Sequence, residues 1–421
     1  MNVTVTPHPL RGTVQSVVSS KSHAHRLLIC AALADRPTVL QGVDPSADLL
    51  ATVRCLRALG ADIAWEGAGL SVTPLSSPCK NALLDCGESG STLRFLLPVA
   101  AALGADCAFT GQGKLKDRPL SPLREAMEDH GCVLSAPGQF PLTCSGALKP
   151  GAYTLAGNVS SQFFTGLLLA LPQLPGDSRL LVGGPLESRP YVDMTLETLA
   201  LFGIRVDPLE NGYFIPGGQR FRSPGTAAAE GDWSGAAFFL AAGALPSAAV
   251  TCAPLRPDSR QGDRAVAPLL AALGARVTDK ENAVSVQPGP LRGIVIDLSD
   301  IPDLAPILAA AAAFARGETV LRPIARLRLK ESDRVAAILA LLHSLGVEAR
   351  AAEDQLIIRG RGGVSGGTVD SFHDHRIVMA AAIAATAADG PVTILGAEAA
   401  DKSYPGFFGQ FRALGGLAKE D

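Results

Sequence analysis

Apolar and polar positions along the chain repeat with a period of about seventy residues. In each repeat a short polar loop leads into a long apolar segment, as in SSKSHAHRLLICAAL and GESGSTLRFLLPVAAAL. The polar markers of the six segments are Lys21, Gly90, Ser160, Asp232, Asp303 and His375, with spacings of 69, 70, 72, 71 and 72 residues. A series this regular predicts a repeat architecture.

A second series of helices lies between the members of the first. Each of these helices is amphipathic and ends at a glycine before a strand-like piece, and the six glycines are Gly60, Gly131, Gly203, Gly274, Gly346 and Gly415. β-branched segments such as TVL and VTI separate the two helices of a repeat. The pattern predicts an α/β fold in which each repeat runs strand, helix, strand, helix and strand pair. Six copies suit two lobes of three repeats, and the small and turn residues of RSPGTAAAEGD, 222–232, predict the hinge.

The first helix of every repeat is apolar on nearly all sides, which predicts that it is buried with its amino terminus facing an opening. Three such helices in a lobe would direct free N–H groups at one surface, and two facing lobes would enclose a cleft of positive potential. The loops at this surface carry mainly Lys, Arg and hydroxyl side chains, which bind phosphate and carboxylate groups. We therefore expect the ligand to be a polyanionic small molecule, or a pair of them.

The segment RLRLKESDR, 326–334, holds six charged residues immediately before an apolar run. Charge runs are commonly the solvated faces of surface helices. If a helix continued through this segment, Arg326, Lys330 and Arg334 would form one stripe, where like charges repel one another. Glu331 and Asp333 relieve part of this repulsion, and a bound anion would relieve the rest. The segment therefore predicts an anion site that contains an acidic residue.

Composition limits the classes of function that remain. The 421 residues are 47% hydrophobic, which is enough to bury large cores, and the net charge is −3 with 5% aromatic residues. This balance argues against a nucleic-acid partner. The eight cysteines form no CxxC pair, the amino terminus lacks the features of a signal peptide, and the apolar runs are too short or too interrupted for a bilayer. We expect a cytoplasmic monomer without a membrane partner.

Nine short motifs, in order along nearly the whole chain, resemble those of the 5-enolpyruvylshikimate-3-phosphate (EPSP) synthases, transferases of the shikimate pathway. They are SKSHAHR, GESGSTLR, KDRPL, VSSQF, ESRPYVDMTL, IPDLAP, RLRLKESDR, DHR and DKSYPGFF. The resemblance implies a two-lobed inside-out α/β barrel built from six βαβαββ-like repeats. It implies one lobe at 14–227, mainly for shikimate 3-phosphate, and another at 228–421 with 1–13, mainly for phosphoenolpyruvate and the catalytic residues.

The family moves the carboxyvinyl group of phosphoenolpyruvate to the 5-hydroxyl of shikimate 3-phosphate and releases phosphate, with no metal or organic cofactor. On matching positions, the resemblance assigns shikimate 3-phosphate to Lys21, Ser22, Arg26, Ser160, Ser161, Gln162, Ser188, Tyr191, Asp303 and Lys330. It assigns phosphoenolpyruvate to Lys21, Gly90, Arg118, Gln162, Arg334, His375, Arg376 and Lys402. Arg326 stands where many relatives have an uncharged residue, and we add it to the first set as a contact for the shikimate carboxylate.

Addition of a hydroxyl to an enol ether needs an acid for the methylene carbon and a base for the attacking oxygen, and elimination reverses these roles. Asp303 and Glu331 are the candidate carboxylates, and Lys21 is a further candidate proton donor. The sequence leaves open which carboxylate is the acid and which is the base.

Three alternatives remain open. The UDP-N-acetylglucosamine 1-carboxyvinyltransferases share the repeat architecture but lack KESDR in this context. The pairs His23 with His25 and His373 with His375 resemble metal ligands, which would suit a metal-dependent hydrolase. A non-catalytic repeat scaffold is the third alternative, but it would not need anion-binding side chains at every buried helix start.

Overall fold

The computed structural model describes residues 1–67, 69–246 and 248–421. They form two compact units, which we call the middle unit, Lys21–Ala229, and the terminal unit, Met1–Ser20 with Glu230–Asp421. Each unit has a hydrophobic core of its own. The chain passes from one unit to the other twice, and the second passage lies within the segment 222–232.

Three four-stranded sheets make up the β-structure described in the middle unit. Their strands are β3 Thr38–Gln41, β4 Asp62–Glu66, β5 Gly69–Thr73, β6 Ala82–Asp85, β7 Cys107–Thr110, β8 Val133–Leu134, β9 Leu142–Ser145, β10 Ala152–Ala156, β11 Ser178–Gly183, β12 Asp207–Leu209, β13 Gly212–Ile215 and β14 Thr226–Ala228. The strand orders are β14-β3-β5-β4, β6-β7-β9-β8 and β10-β11-β13-β12. In each sheet the first pair is parallel and the other pairs are antiparallel.

The terminal unit repeats this arrangement in three further sheets. Their strands are β1 Asn2–Thr6, β2 Gly12–Val14, β15 Val250–Cys252, β16 Arg276–Lys280, β17 Ala283–Gln287, β18 Val295–Asp297, β19 Arg316–Arg322, β20 Glu348–Ala352, β21 Gln355–Arg361, β22 Gly367–Asp370, β23 Val392–Leu395 and β24 Leu417–Glu420. The orders are β2-β15-β17-β16, β18-β19-β21-β20 and β22-β23-β1-β24. The amino-terminal β1 and β2 thus complete sheets whose other strands come from the second half of the chain.

The helices fall into the two predicted classes. The buried class is α1 Lys21–Ala32, α3 Gly90–Ala102, α5 Ser161–Ala170, α7 Trp233–Ala244, α9 Ala305–Ala313 and α11 His375–Ala385. The second class is α2 Ala47–Leu59, α4 Leu123–Glu128, α6 Arg189–Leu201, α8 Val266–Leu273, α10 Arg334–Ser344 and α12 Phe407–Ala413. Short 3-10 helices occupy Leu115–Asp117, Leu171–Gln173, Gly262–Ala265, Pro302–Leu304, Ala325–Leu329 and Ala397–Lys402. None of the helices in the described ranges has the length and apolar character to cross a membrane.

The predicted glycines share one backbone conformation. All six have positive φ, from 73° at Gly203 to 119° at Gly274. Residues with a side chain rarely adopt this conformation, and a helix commonly ends at a glycine that does. The repeat of glycines therefore records the repeated ends of the second helices, and the predicted βαβαββ unit is confirmed.

The segment RLRLKESDR differs from the helical stripe that its spacing suggests. Ala325–Leu329 form a 3-10 helix, Lys330 is extended, and α10 begins only at Arg334. Asp333 caps α10 by accepting the Ala336 N–H at 3.1 Å. The prediction of one continuous stripe is wrong because this cap starts the helix near the end of the segment.

Candidate active site

In the terminal unit, Asp303 lies at the centre of a cluster of charged side chains. Its Oδ1 lies 3.2 Å from Lys330 Nζ and 2.7 Å from Arg334 Nη1, and its Oδ2 lies 3.3 Å from Arg376 Nη2. Arg376 Nη1 also donates to the backbone carbonyl of Asp303 at 3.0 Å. Three cations, from the loop before α10 and the starts of α10 and α11, therefore converge on one carboxylate.

Arg334, the first residue of α10, is 1% exposed and is surrounded by carboxylates. Its Nε donates to Asp374 Oδ2 at 2.8 Å, and its Nη2 donates to Glu331 Oε2 at 2.7 Å. The contact with Asp303 completes a set of three acidic partners. These carboxylates offset the charge of the buried guanidinium, and removing one partner of such a buried ion pair is strongly destabilising.

The charges of the cluster control its protonation. Burial alone would raise the pKa of Asp303, but the three cations outweigh burial and hold that pKa well below its usual value. Burial would likewise raise the pKa of Asp374, but Arg334 outweighs it and lowers that pKa. Burial lowers the pKa of the Lys330 ammonium, and Asp303 offsets only part of the effect. Asp303 is therefore ionised at neutral pH, as a base must be.

In the middle unit, a buried chain of side chains joins the beginnings of three helices. Lys21, on α1, contacts Asp48 Oδ2 on α2 with its Nζ at 2.8 Å. Behind this pair, His25 Nδ1 lies 2.8 Å from Thr52 Oγ1, which lies 2.7 Å from Thr92 Oγ1 on α3. Thr92 also donates to the backbone carbonyl of Asp48 at 3.3 Å. Burial lowers the pKa of His25 to about 3, so the ring in this chain is neutral.

Arg26, on α1, is 2% exposed and is held by neutral oxygen atoms. Its Nε donates to Thr195 Oγ1 at 2.8 Å, and its Nη2 donates to Thr165 Oγ1 at 3.1 Å and to the Tyr191 carbonyl at 2.9 Å. Its Nη1 donates to the Ser22 carbonyl at 2.5 Å. Burial lowers the pKa of Arg26 to about 10, so the group stays charged at neutral pH. Among the described residues no carboxylate contacts it.

Gly90, the first residue of α3, lies against Arg118. A Cβ atom at Gly90 would lie 2.6 Å from Arg118 Nη1, so the guanidinium can approach the helix start only because the side chain is absent. On the next turn of α3, Arg94 donates to Gln162 Oε1 at 2.6 Å and to the Pro119 carbonyl at 2.9 Å. These contacts join α3 to α5 and to the segment that carries Arg118.

Two serines precede α5 and α6. Ser160 caps α5, because its Oγ accepts the Gln162 N–H at 3.3 Å, and the buried Ser161 follows as the first residue of the helix. Ser188 is buried before α6 and has a φ of 55°, a conformation that residues other than glycine adopt at a cost in energy. Such strained positions are concentrated at functional sites.

Comparison with known proteins shows which family the chain resembles. A family profile described as EPSP synthase (3-phosphoshikimate 1-carboxyvinyltransferase) matches residues 5–411.

The chain belongs to the EPSP synthase family.

Individual relatives match it over nearly their full length. A 3-phosphoshikimate 1-carboxyvinyltransferase of Clostridium kluyveri is 44% identical over 420 residues, which cover 99% of this chain and 98% of the relative. One of Clostridium perfringens is 39% identical over 423 residues, which cover 100% of this chain and 99% of the relative. A solved structure of EPSP synthase from Acinetobacter baumannii has a TM-score of 0.82 and 27% identity, with 100% of both chains covered. The family and the fold class predicted from the sequence are confirmed.

The predicted EPSP synthase residues of the terminal unit are placed as follows. Those that ion pairs bring together are Asp303, Lys330, Glu331, Arg334 and Arg376. Arg326 donates to the Ser299 carbonyl at 3.4 Å. His375 is buried, and its Nδ1 lies 3.9 Å from Asp374 Oδ1. Lys402 ends the last 3-10 helix, which packs against α11. The substrate roles of these residues stay predictions.

The family resemblance gave no role to two acidic residues near Asp303, although one of them, Asp374, belongs to the motif DHR. Asp374 caps α11 by accepting the Arg376 N–H at 3.0 Å, while its other oxygen binds Arg334. An acid immediately before an apolar helix is a common N-cap, so this signal was present in HDHR. Asp263 is fully buried in the 3-10 helix Gly262–Ala265, where neither periodicity nor a charge run marks it.

The two His-x-His pairs have members in different environments. His25 is buried while His23 is half-buried, and His375 is buried while His373 is exposed. Within the described ranges, no group of three or more His, Cys, Asp or Glu side chains is placed to hold a metal ion.

Proposed function

We propose that the protein transfers the carboxyvinyl group of phosphoenolpyruvate to the 5-hydroxyl of shikimate 3-phosphate and releases inorganic phosphate. The observation that carries this proposal is the cluster in which Lys330, Arg334 and Arg376 surround the ionised Asp303. The reaction needs a base beside groups that bind anions, and this cluster has both. The Clostridium relatives that carry the name of this activity add support.

In the addition step, the substrate oxygen forms a bond to C2 of phosphoenolpyruvate and loses its proton, while C3 gains a proton. In the elimination step, the C2–O bond to phosphate breaks and C3 loses a proton, which leaves the carboxyvinyl ether. We assign the base to Asp303, because the surrounding cations keep it ionised. Glu331 and Lys21 are the candidates for the proton donor to C3.

Exchange of the methylene hydrogens in D₂O distinguishes the two donors. If Glu331 or Lys21 gives the proton to C3, its replacement stops deuterium incorporation into phosphoenolpyruvate. Replacement of the residue that is not the donor only slows turnover, through weaker binding or positioning. Mass spectrometry of phosphoenolpyruvate recovered from Glu331→Gln and Lys21→Met reactions makes the comparison. Equal incorporation by both variants and the wild type would remove both residues from this role.

Binding of shikimate 3-phosphate is assigned mainly to the middle unit. The proposed contacts there are Lys21, Ser22, Arg26, Ser160, Ser161, Gln162, Ser188 and Tyr191. Arg26 supports this assignment, because its neutral acceptors leave its positive charge without a carboxylate counterion. For phosphoenolpyruvate we propose Lys21, Gly90, Arg118 and Gln162 in this unit, and Arg334, His375, Arg376 and Lys402 in the terminal unit. Asp303, Arg326 and Lys330 complete the proposed contacts of shikimate 3-phosphate.

We also propose that the enzyme is a cytoplasmic monomer. All eight cysteines are free thiols and seven of them are buried, as is usual in a reducing compartment. Light scattering tests the oligomeric state, with an expected mass of 43.4 kDa. A mass twice as large would contradict a monomer.

A phosphate-release assay tests the activity. Phosphoenolpyruvate is mixed with the protein and with either shikimate 3-phosphate or UDP-N-acetylglucosamine as the acceptor. We expect phosphate release with shikimate 3-phosphate alone, and loss of that release in Lys21→Met. Release with UDP-N-acetylglucosamine alone would favour the other carboxyvinyltransferases, and no release with either acceptor would contradict the proposal.

A further inference from the structure

Asp263 is a buried carboxylate for which the proposed reaction has no role. It is 0% exposed, and its Oδ2 accepts a hydrogen bond from the hydroxyl of Ser234. Its Oδ1 is also buried and has no hydrogen-bond partner among the described residues. An ionised carboxylate with an unpaired buried oxygen is costly, whereas a neutral carboxylic acid costs much less. The geometry therefore favours a proton on Asp263.

Hydrogen bonds to the start of α7 hold Asp263 in this position. Ser234 is the second residue of α7. Gln261, two residues before Asp263, accepts the Trp233 N–H at 3.0 Å and donates to the Gly231 carbonyl at 2.9 Å. The segment is thus attached to α7 at separate points, so Asp263 cannot turn towards solvent without breaking several hydrogen bonds.

Charged groups on neighbouring elements act on Asp263. α7 packs against the 3-10 helix that carries Asp303 and against α11, which carries Arg376. Burial raises the pKa of Asp263 to about 6, and Arg376 opposes this rise. Asp303 and Asp232, the N-cap of α7, add to the rise. α7 and α8 contain no charged residue, and Arg264 on the same 3-10 helix is exposed.

We propose that Asp263 is a positioning residue that takes up a proton when an anion binds to Arg376. In the free protein, the positive charge of Arg376 favours the ionised carboxylate. A bound anion offsets that charge, so the carboxylate accepts one proton from the buffer and becomes a neutral acid, with no other bond changed. This inference rests on the proposed function, because the anion is the phosphoenolpyruvate assigned to Arg376.

The pH dependence that follows has a definite sign. Below about pH 6, Asp263 is neutral and has little effect on anion binding. Above about pH 6, Asp263 is ionised in the free protein, so a bound anion must either be repelled or drive proton uptake. Asp263 therefore weakens phosphoenolpyruvate binding as the pH rises through this value.

The test compares the KM for phosphoenolpyruvate in the wild type and in Asp263→Asn between pH 5 and pH 8, at saturating shikimate 3-phosphate. The ratio of the two KM values cancels the ionisation of phosphoenolpyruvate itself. We expect the KM of the wild type divided by the KM of Asp263→Asn to rise about three- to tenfold from pH 5 to pH 8, because repulsion between like charges is only partly screened in a protein interior. A ratio that is constant with pH would overturn the inference.

Two further variants keep the test decisive. Ser234→Ala removes a hydrogen bond that lowers the pKa of Asp263, so the rise in KM should move to higher pH. Asp258→Asn changes an exposed acid of the same loop that is paired with Arg256, and its profile should overlay that of the wild type. If Asp263→Asn does not fold, an unchanged midpoint in Ser234→Ala overturns the inference.

Failure of the proposed function gives a different result. A wild type that releases no phosphate at any pH contradicts the proposed reaction, and the inference falls with it. A wild type that turns over, with a flat KM ratio in Asp263→Asn, contradicts the role of Asp263 alone.

Discussion

The two units hold their buried guanidinium groups in opposite ways. In the middle unit, Arg26 donates to hydroxyl and carbonyl oxygens. In the terminal unit, Arg334 donates to carboxylates, including the fully buried Asp374. Neutral acceptors leave the positive charge in place, whereas carboxylates cancel it. The positive charge of Arg26 is therefore not neutralised by a carboxylate, whereas that of Arg334 is.

The terminal cluster also balances its charges. The ion-paired groups are the cations Lys330, Arg334 and Arg376 and the carboxylates Asp303, Glu331 and Asp374. An anion that binds here competes with carboxylates for the same donors. Anion binding then changes the protonation of nearby acids, and Asp263 is the buried acid that we propose takes up a proton.

The largest effect is expected from Asp303→Asn. This change removes the proposed base and leaves the three cations without their shared carboxylate, so kcat should fall about 1,000-fold, within the range of general-base catalysis. Asp279→Asn, on an exposed strand position, is the matched control and should retain wild-type turnover. The phosphate-release rate measures both. A loss of less than tenfold in Asp303→Asn would exclude it as the base.

The contrast between the two arginines predicts unequal losses of stability. Arg334→Met leaves buried carboxylates without their cation and should lower the free energy of unfolding by about 4 kcal/mol. Arg26→Met leaves only neutral acceptors and should cost about 2 kcal/mol. Urea unfolding measures both, with Arg412→Met, on a side chain 41% exposed, as the control. A larger loss for Arg26→Met would contradict the contrast.

His25 and Asp263 predict opposite effects of pH on stability. The unfolded chain protonates His25 near pH 6.5, but the folded protein does so only near pH 3, so stability should fall by about 2 kcal/mol from pH 6.5 to pH 5. The folded protein keeps the Asp263 proton up to about pH 6, whereas the unfolded chain loses it near 3.8. Ionisation of Asp263 should therefore lower the free energy of unfolding by about 3 kcal/mol as the pH rises from 3.8 to about 6.

Thermal unfolding between pH 4 and pH 7 separates the two contributions. His25→Asn should flatten the loss of stability on the acid side, and Asp263→Asn should flatten the loss as the pH rises. Variants whose slopes match the wild type would show that these groups do not titrate differently in the folded and unfolded states.

The smallest effect on stability is expected from Gly90→Ala. The new Cβ would meet the end of the Arg118 side chain, which can move, so the free energy of unfolding should change by less than about 1 kcal/mol. The displaced guanidinium should nevertheless raise the KM for phosphoenolpyruvate, by about tenfold. Gly409→Ala, where no atom lies within 4 Å of the added carbon, is the control. An unchanged KM in Gly90→Ala would remove Arg118 from the proposed site.

The repeat was the feature of the fold that could be predicted most readily from the sequence. Its signal appears twice in every seventy residues, as an apolar helix and as a glycine, and local rules relate each to structure. The end of a helix at Gly274, for example, depends only on its immediate neighbours. Six independent occurrences made the fold class predictable.

The partners of the charged residues were harder to predict from the sequence. Arg334 and Asp374 are forty residues apart and belong to different helices, so no local pattern records their hydrogen bond. Asp263 likewise depends on Ser234, which is twenty-nine residues away. The helical stripe in RLRLKESDR was wrong because one capping side chain, Asp333, decides where α10 begins. The periodicity of the sequence does not predict long-range contacts or individual helix caps.

The central claim is that three cations keep Asp303 ionised, while burial raises the pKa of Asp263 to about 6, so that Asp263 is protonated only below that pH in the free protein. A carbon-13 NMR titration of the aspartate carboxyl groups, assigned with Asp303→Asn and Asp263→Asn, tests both halves at once. We expect the Asp303 resonance to keep its ionised position through the pH range near about 3.9 in which an ordinary aspartate titrates, and the Asp263 resonance to titrate near pH 6. An Asp303 that titrates at the ordinary aspartate value of about 3.9 or above, or an Asp263 that stays ionised throughout, would contradict the account.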